Sequence, residues 1–238
     1  MKKFELTSEF VTNVFGTKLF RIKALVEFGN VEAGELGGYV EKEENVSQDG
    51  DAWVYGDAWV YGNARVYGDA RVYGDAWVSG NARVYGNARV YGDAWVSGDA
   101  RVYGDAWVSG DARVYGDAWV SGNARVYGNA RVYGDAWVYG DAWVSGNARV
   151  YGDAWVSGDA DYAYAHGFGS VYRITTFFRN KDGGVSVVCG CFFGSLDEFR
   201  EKVCETHGET KTAREYLMLA DLMELRFSKE EQDGKEKS

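Results

Sequence analysis

Two groups of side chains in this sequence have the chemistry for binding or catalysis. The first is a set of tryptophans and arginines that recur with a period of six over residues 50–157. Tryptophan, tyrosine and arginine are the residue types most enriched at the energetic centres of interfaces, so this set predicts a binding surface. The second group offers thiolate and imidazole donors, which could form a tetrahedral zinc site. It consists of Cys189, Cys191, Cys204 and His207.

The cysteine and histidine group allows two interpretations. Cys189 and Cys191 share one face of a predicted strand, and Cys204 and His207 lie three residues apart on one side of a predicted helix. The first two thiols lack the usual two-residue gap between paired zinc ligands. They also lie on an apolar strand face, where cysteine behaves as a small hydrophobic residue. Core packing is therefore the alternative to zinc, and apart from zinc we expect no cofactor.

The element that positions the tryptophans and arginines is the hexad Gly-(Asp/Asn)-Ala-(Trp/Arg)-Val-(Tyr/Ser). It occurs eighteen times over residues 50–157 without insertion or deletion. On an extended segment Ala and Val face one way, while the Trp or Arg between them and the following Tyr or Ser face the other. Gly and Asp or Asn accept the positive φ that a corner demands. The pattern predicts a solenoid with Ala and Val inside and the large side chains outside.

The hexads resemble the hexapeptide-repeat, left-handed parallel β-helix family. Val54 and Val60 fill its aliphatic place, and Ala52 and Ala58 fill its small place. The resemblance implies a mainly β fold in which three hexads make one triangular coil, giving about six regular coils. Residues 35–54 are also similar to the opening segment of uncharacterised bacterial and phage hexapeptide-repeat proteins that carry a transferase label.

Stacking at a period of eighteen residues sorts the outward side chains into three columns. Column 1 is Trp53, Arg71, Arg89, Trp107, Arg125 and Trp143. Column 2 is Trp59, Trp77, Trp95, Arg113, Arg131 and Arg149. Column 3 is Arg65, Arg83, Arg101, Trp119, Trp137 and Trp155. Column 2 and the tryptophans of column 3 form the predicted binding surface; the alternative is a self-stacking ladder that only stabilises the coil.

The segments around the repeats predict the domain organisation. Residues 1–28 form an N-terminal cap, and residues 29–169 form the solenoid, which begins with a degenerate first coil. Residues 170–227 form a small ββαα module. Residues 228–238 are charged and lack apolar side chains, so they predict a disordered tail.

Local signals place the elements of the C-terminal module. Residues 180–184 have the composition of a hairpin turn. Ser195 with Glu198 forms a capping box for a helix that ends near Gly208. A second helix presents one apolar face. That face consists of Tyr216, Ala220, Met223 and Phe227.

The composition restricts the possible functions. The chain has 238 residues, a net charge of −10 and no proline. Non-specific nucleic-acid binding needs a basic surface, so we do not expect it. The sequence has no apolar run that could span a membrane and no apolar core of a signal peptide, and its three cysteines suit a reducing compartment. These features predict a cytoplasmic protein.

The placement of the histidines favours one of two function classes. The resemblance implies relatives that include acyltransferases, which use a histidine base and protruding loops, and a carbonic-anhydrase class that binds metal through three histidines. This chain has only His166 and His207, both outside the repeats. We therefore expect no catalytic residues and a binding or scaffold protein of phage or prophage origin. It would act as a homodimer or homotrimer on a host protein or small ligand. The alternative is an acyltransferase-like enzyme with a site between subunits.

Overall fold

Residues 2–169 and 173–228 are described by a computed structural model of the chain. They divide into two units, Met1–Asp159 and Ala160–Ser238. The tail predicted at residues 228–238 lies outside the described residues except for Ser228.

The first unit opens with an antiparallel hairpin that continues into the solenoid. Strand β1 (Phe4–Thr12) pairs with β2 (Lys18–Ala24), and β2 pairs with β3 (Leu36–Val40). Strand β3 then pairs in parallel with the repeat strand Trp59–Val60, with Tyr39 opposite Trp59. The chain therefore changes from antiparallel to parallel pairing at β3, which belongs to the degenerate first coil.

Each hexad of residues 50–157 contributes one short strand that starts at its Trp or Arg. In chain order these strands are β4 (Trp53–Val54), β5 (Trp59–Val60), β6 (Arg65–Val66), β7 (Arg71–Val72), β8 (Trp77–Val78), β9 (Arg83–Val84), β10 (Arg89–Val90), β11 (Trp95–Val96), β12 (Arg101–Val102), β13 (Trp107–Val108), β14 (Arg113–Gly116), β15 (Trp119–Val120), β16 (Arg125–Val126), β17 (Arg131–Gly134), β18 (Trp137–Val138), β19 (Trp143–Val144), β20 (Arg149–Val150) and β21 (Trp155–Val156).

Parallel pairing of every third strand builds a three-sided solenoid. Within residues 2–159 the sheets are β1-β2-β3-β5-β8-β11-β14-β17-β20, β4-β7-β10-β13-β16-β19 and β6-β9-β12-β15-β18-β21 in order of pairing. Partners in the repeats lie eighteen residues apart, as in Trp77↔Trp95 and Val78↔Val96. The predicted parallel β-solenoid with six regular coils and a degenerate first coil is confirmed.

The core of the solenoid contains the alanine and valine of every hexad. These side chains are buried along the whole array, for example Ala100 and Val102 at 0% exposure. The corner glycines adopt the positive φ that the hexad predicts, as at Gly98 with φ +68°. Backbone and core thus repeat with the sequence, and the outward Trp, Arg, Tyr and Ser residues are the variable part.

Two polar side chains bind the backbone of the first regular coil at places that the strand pairing of the degenerate first coil leaves open. Lys3 Nζ donates to the carbonyl oxygens of Gly50 and Ala52 at 3.1 and 2.9 Å. Asn45 Nδ2 donates to the carbonyl oxygen of Ala64 at 2.9 Å. Burial lowers the pKa of Lys3 to about 8. These contacts satisfy carbonyl groups that would otherwise lie unpaired at the end of the solenoid.

Trp53 is the exception among the outward tryptophans. Its side chain is completely buried, although the period of the repeat predicts that it points to solvent. The rings of Phe4 and Phe28 cover it edge-on, with centroids 5.8 and 5.3 Å away. The expectation of an exposed residue at the start of column 1 is therefore wrong, because the N-terminal segment folds over the first coil.

The second unit is a small antiparallel sheet followed by helices. In the described residues its elements are β22 (Tyr162–Phe168), β23 (Arg173–Arg179), β24 (Val185–Cys189), β25 (Phe192–Ser195), α1 (Leu196–His207) and α2 (Lys211–Phe227). The strands pair in chain order. No helix in this described part is both long and apolar enough to cross a membrane.

The sheet has four strands in the described residues, where the sequence predicts two. Strand β22 pairs with β23, so residues 162–168 belong to the second unit and not to the solenoid. Gly190, with φ +64°, reverses the chain and separates β24 from β25. Each difference has its own cause. The alternating side chains of residues 162–168 are also what a last coil of the solenoid would show. Residues 190 and 191 continue the strand pattern in sequence, although they form a turn.

Both predicted helices are confirmed. Ser195 Oγ accepts a hydrogen bond from the Glu198 backbone N–H at 3.2 Å, and Glu198 Oε2 accepts from the Ser195 N–H at 2.7 Å. This capping box starts α1, which ends at His207 with Gly208 as its C-terminal cap. The predicted apolar face of α2 is buried against α1 and the sheet. It comprises Tyr216, Ala220, Met223 and Phe227.

Candidate binding surface

The backbone ladders bring the predicted columns together as continuous rows. In column 2, Trp59, Trp77, Trp95 and Arg113 follow one another as direct partners on neighbouring strands. Arg131 and Arg149 continue the row. In column 3 the order is reversed, with arginines before tryptophans. Columns 2 and 3 lie on different sheets of the solenoid.

The tryptophans of column 2 stack face to face. The ring centroids of Trp59 and Trp77 are 4.9 Å apart, with planes inclined by 4°. Trp77 and Trp95 are also 4.9 Å apart. This distance is close to the separation of neighbouring strands, about 4.8 Å, so the backbone itself sets the stacking. The guanidinium of Arg113 lies 5.1 Å from the ring of Trp95 and continues the stack as a cation–π contact.

Column 3 repeats this arrangement in the opposite direction. Trp119 and Trp137 stack at 4.7 Å, and Trp137 and Trp155 at 5.1 Å. The guanidinium of Arg101 lies 4.5 Å from the ring of Trp119. The indole N–H of Trp155 donates to the hydroxyl of Tyr139. Arginine on tryptophan is therefore a contact that both columns make within the chain.

Serine follows most of the outward tryptophans where tyrosine follows the arginines. The missing ring leaves space into which the indole turns. Trp107 meets Tyr91 edge-on at 6.2 Å, and Trp119 meets Tyr103 in the same way at 6.2 Å. The tyrosines themselves stack, as Tyr115 and others do along their own rows. The outer surface is thus a packed layer of rings rather than a set of independent side chains.

Six stretches of the repeat region match the family model of the YdcK beta solenoid repeat: residues 64–80, 82–98, 94–110, 108–122, 124–140 and 142–158. Each match spans about one eighteen-residue coil, and together they lie within the regular coils. No curated protein matches the chain. The matches agree with the parallel ladders of the structure. This is a β-solenoid repeat protein.

The stacked tryptophans of this β-solenoid keep part of their surface in solvent. Trp95, Trp137 and Trp155 are 39, 37 and 40% exposed. The ring faces of Trp95 and Trp137 are covered by neighbours in the stack, so the exposed part of these two side chains is the ring edge. Contiguous aromatic surface of this kind is uncommon on soluble monomers and often marks an interaction site.

The tyrosine rows of the solenoid carry perturbed phenols. Tyr133 stacks between Tyr115 and Tyr151 at 4.8 and 4.6 Å. Burial, and then the neighbouring Tyr151 and Tyr115, raise its pKa from 10 to about 12. Burial also raises the pKa of Tyr73 and of Tyr85.

These shifts predict that the solenoid loses stability at alkaline pH. Between pH 10 and 12 the folded chain keeps phenolic protons that the unfolded chain releases, so this stabilising contribution is complete below pH 10 and lost as pH rises to 12. We expect the urea midpoint to fall across this range, and to fall less in Tyr133→Phe. Tryptophan fluorescence reports this because every tryptophan lies in the repeats. An equal fall in Tyr133→Phe would contradict the assignment; Tyr164→Phe in the second unit is the control.

Hydrogen bonds between corner side chains of successive coils join asparagine to aspartate. Asn81 Nδ2 donates to Asp99 Oδ1 at 3.0 Å, and Asn87 donates to Asp105 at 3.0 Å. Asn123 donates to Asp141 at 2.9 Å. An amide can donate to the carboxylate one coil away, whereas two stacked carboxylates repel. Asparagine at a corner therefore has a structural use.

The predicted zinc ligands are not brought together. Cys189 ends β24, half-buried, and accepts a hydrogen bond from Thr175 Oγ1 at 3.3 Å. Cys191 lies in the following turn, exposed, and Cys204 is exposed on α1. The expectation that Cys189 and Cys191 share a strand face is wrong, because Gly190 turns the chain between them. Among residues 2–169 and 173–228, no group of three or more His, Cys, Asp or Glu side chains could hold a metal ion.

The two histidines lie in the second unit. His166 is exposed on β22, and His207 at the end of α1 packs on the ring of Tyr216, with centroids 5.8 Å apart. Neither lies on the solenoid columns. The alternative of an acyltransferase-like enzyme thus has no histidine on the surface that the repeats build.

Helix α2 carries a second exposed apolar feature that the sequence analysis did not identify. Met218, Leu222 and Leu225 are more than half exposed and follow one another at helical spacing. The opposite face of α2 forms the core of the unit. The sequence contains this second apolar stripe at positions i, i+4 and i+7. It was not predicted because the stripe through Tyr216 and Met223 already accounts for a buried face of the helix.

Proposed function

We propose that this β-solenoid repeat protein works by binding, not by catalysis, through column 2 and the tryptophans of column 3. The observation that supports this most is the partial exposure of stacked tryptophans, at 39% for Trp95, 37% for Trp137 and 40% for Trp155. The protein assembles through these columns into a homodimer or homotrimer. What remains exposed engages a host protein or a small ligand.

The rigidity of the columns favours binding. A free tryptophan or arginine side chain loses conformational entropy when a partner immobilises it, which costs about 0.5–1.5 kcal/mol for each such side chain. Here the strand ladder and ring stacking already fix Trp77 between Trp59 and Trp95. Arg113 is fixed on Trp95 in the same way. Residue types that dominate interface energies are therefore held in place before a partner arrives.

The stacking geometry also restricts the kind of partner. Trp77 and Trp137 have neighbours on both ring faces, so a sugar ring or a base cannot stack on them. Their exposed edges form a flat strip along the sheet. A flat partner that covers several coils at once, such as another sheet, suits this strip better than a small ring-shaped ligand.

The biological setting follows from the resemblance. Residues 35–54 are similar to hexapeptide-repeat proteins carried by phages, which supports a phage or prophage accessory protein acting in the cytoplasm on a host factor. The acidic net charge of −10 favours solubility and disfavours nucleic acid as the partner.

Alanine substitution of tryptophans in columns 2 and 3 tests the proposal. In the column variant, Trp77, Trp95, Trp137 and Trp155 are all replaced by Ala. We expect the wild type to be an oligomer and the column variant to have the mass of a monomer, 26.4 kDa, by light scattering coupled to size-exclusion chromatography. The reason is the loss of the aromatic edges on both columns.

A column 1 variant controls for the loss of tryptophan as such. Trp107→Ala with Trp143→Ala removes two tryptophans from the sheet that carries column 1, and we expect this variant to keep the wild-type mass. Far-UV circular dichroism confirms that each variant is folded. If the column variant assembles like the wild type, the tryptophans do not mediate assembly, and the exposed stripe of α2 becomes the surface to vary.

A further inference from the structure

On the face of the solenoid that carries column 2, each row of side chains changes residue type along its length. Four rows run along this face. The preceding corner row is Asp57, Asp75, Asp93, Asp111, Asn129 and Asn147. Column 2 itself follows. The next row is Tyr61, Ser79, Ser97, Tyr115, Tyr133 and Tyr151, and the following corner row is Asn63, Asn81, Asp99, Asp117, Asp135 and Asp153.

Reversing the order of the coils makes column 2 complementary to itself. A two-fold axis perpendicular to the solenoid places the first coil of one copy opposite the sixth coil of the other, the second opposite the fifth and the third opposite the fourth. Trp77 then faces Arg131 of the other copy, and Trp95 faces Arg113. Arginine packs on tryptophan within this column already, at 5.1 Å between Arg113 and Trp95. The same contact recurs between the copies.

The neighbouring row fits in shape under the same reversal. Ser79 lies opposite Tyr133, and Ser97 lies opposite Tyr115. The tyrosine rings Tyr115 and Tyr133 form a stacked ridge. Ser79 and Ser97 are the shorter side chains of this row, on the half of the face that carries the tryptophans. Each half of the paired faces therefore sets tyrosine opposite serine.

The corner rows also match in charge. Asp75 lies opposite Asn129, and Asn81 lies opposite Asp135. Asparagine to aspartate is the corner contact that the chain makes with itself, as between Asn81 and Asp99 at 3.0 Å. Four of the six coil pairings along each corner row thus place an amide opposite a carboxylate.

We infer that the partner of the column 2 face is a second copy of this chain, packed antiparallel about a two-fold axis. This inference rests on the proposed function and specifies the partner and the register. Parallel packing of the column 2 face on itself would reverse the rows across the face, so column 2 would meet the row Tyr61 to Tyr151 and the contact of tryptophan with arginine would be lost. Parallel packing of column 2 on column 3 would place the corner row they share opposite its own copy, with aspartate facing aspartate at Asp99, Asp117, Asp135 and Asp153.

Crosslinking between chains that each carry one thiol tests the register. In a background with Cys189, Cys191 and Cys204 replaced by Ser, one chain carries Ser79→Cys and the other Tyr133→Cys. Facing sheets pack about 10 Å apart, so a short bismaleimide reaches between opposed residues. We expect crosslinked dimer in the mixture, and its loss when either single-thiol chain is treated alone.

The possible outcomes separate the register from the proposed function. Crosslinking of Ser79→Cys chains with each other would overturn the inference in favour of a parallel dimer. Crosslinking of Ser79→Cys with Tyr85→Cys, which lies at the same coil beside column 3, would overturn it in favour of the parallel arrangement. Either result leaves the proposed function intact. A monomeric wild type with no crosslinks overturns both the inference and the assembly on which it rests.

Discussion

Trp53→Ala is expected to destabilise the solenoid by about 3–5 kcal/mol, the usual cost of emptying a fully buried large aromatic site. Trp53 is completely buried, and the rings of Phe4 and Phe28 pack edge-on against it. The cavity lies where the N-terminal hairpin covers the first coil. We therefore expect the hairpin to open first, which exposes strand edges and promotes aggregation.

The matched control is the same substitution at the corresponding, exposed position of another hexad. Trp95→Ala removes one stacked ring from the same local sequence, Asp-Ala-Trp-Val. Aromatic pairs contribute about 0.5–1.5 kcal/mol beyond burial, so the loss is expected to be near that range. Urea unfolding followed by fluorescence measures both. Equal losses for the two variants would contradict the distinction between a buried cap contact and an outer ladder.

Gly98→Ala is expected to cost about 2–5 kcal/mol of the free energy of unfolding. Gly98 has φ +68°, a left-handed conformation that costs an alanine about 1–2 kcal/mol. An added Cβ would also lie 2.8 Å from the backbone nitrogen of Gly116 in the next coil. That atom belongs to a packed ladder that cannot move alone, and overpacking of this kind adds about 1–3 kcal/mol.

Two other glycines separate the causes. At Gly56, with φ +59°, the nearest atom to an added Cβ is 3.8 Å away, so Gly56→Ala should show only the conformational cost. At Gly158 no atom lies within 4 Å, and Gly158→Ala should be nearly neutral. The measurement is the urea midpoint of the three variants. A loss at Gly98 no larger than at Gly56 would exclude the clash between coils.

The solenoid could be predicted from sequence because its interactions are local and periodic. Each hexad specifies its own strand, corner and core residues, and each coil contacts only its neighbours, so the period of eighteen fixes which residues pair. The columns followed directly, including the reversed order of tryptophan and arginine in columns 2 and 3. The stacking distances follow from the strand spacing, which the sequence does not alter.

The differences arise where contacts are non-local. The burial of Trp53 depends on Phe4 and Phe28, which no periodicity links to the repeats. The strand Tyr162–Phe168 alternates as a last coil would, and only its antiparallel pairing with β23 assigns it to the second unit. The separation of Cys189 from Cys191 has a local cause instead, because the positive φ of Gly190 makes a turn where the sequence predicts a continuous strand.

The most direct test of the binding columns is the mass of the wild type beside that of the four-tryptophan column variant in one light-scattering experiment. If column 2 and the tryptophans of column 3 mediate assembly, the wild type is an oligomer, with twice the mass of 26.4 kDa for the antiparallel dimer. The variant then has the monomer mass of 26.4 kDa. Equal masses for the two proteins would show that the tryptophans of columns 2 and 3 do not mediate assembly.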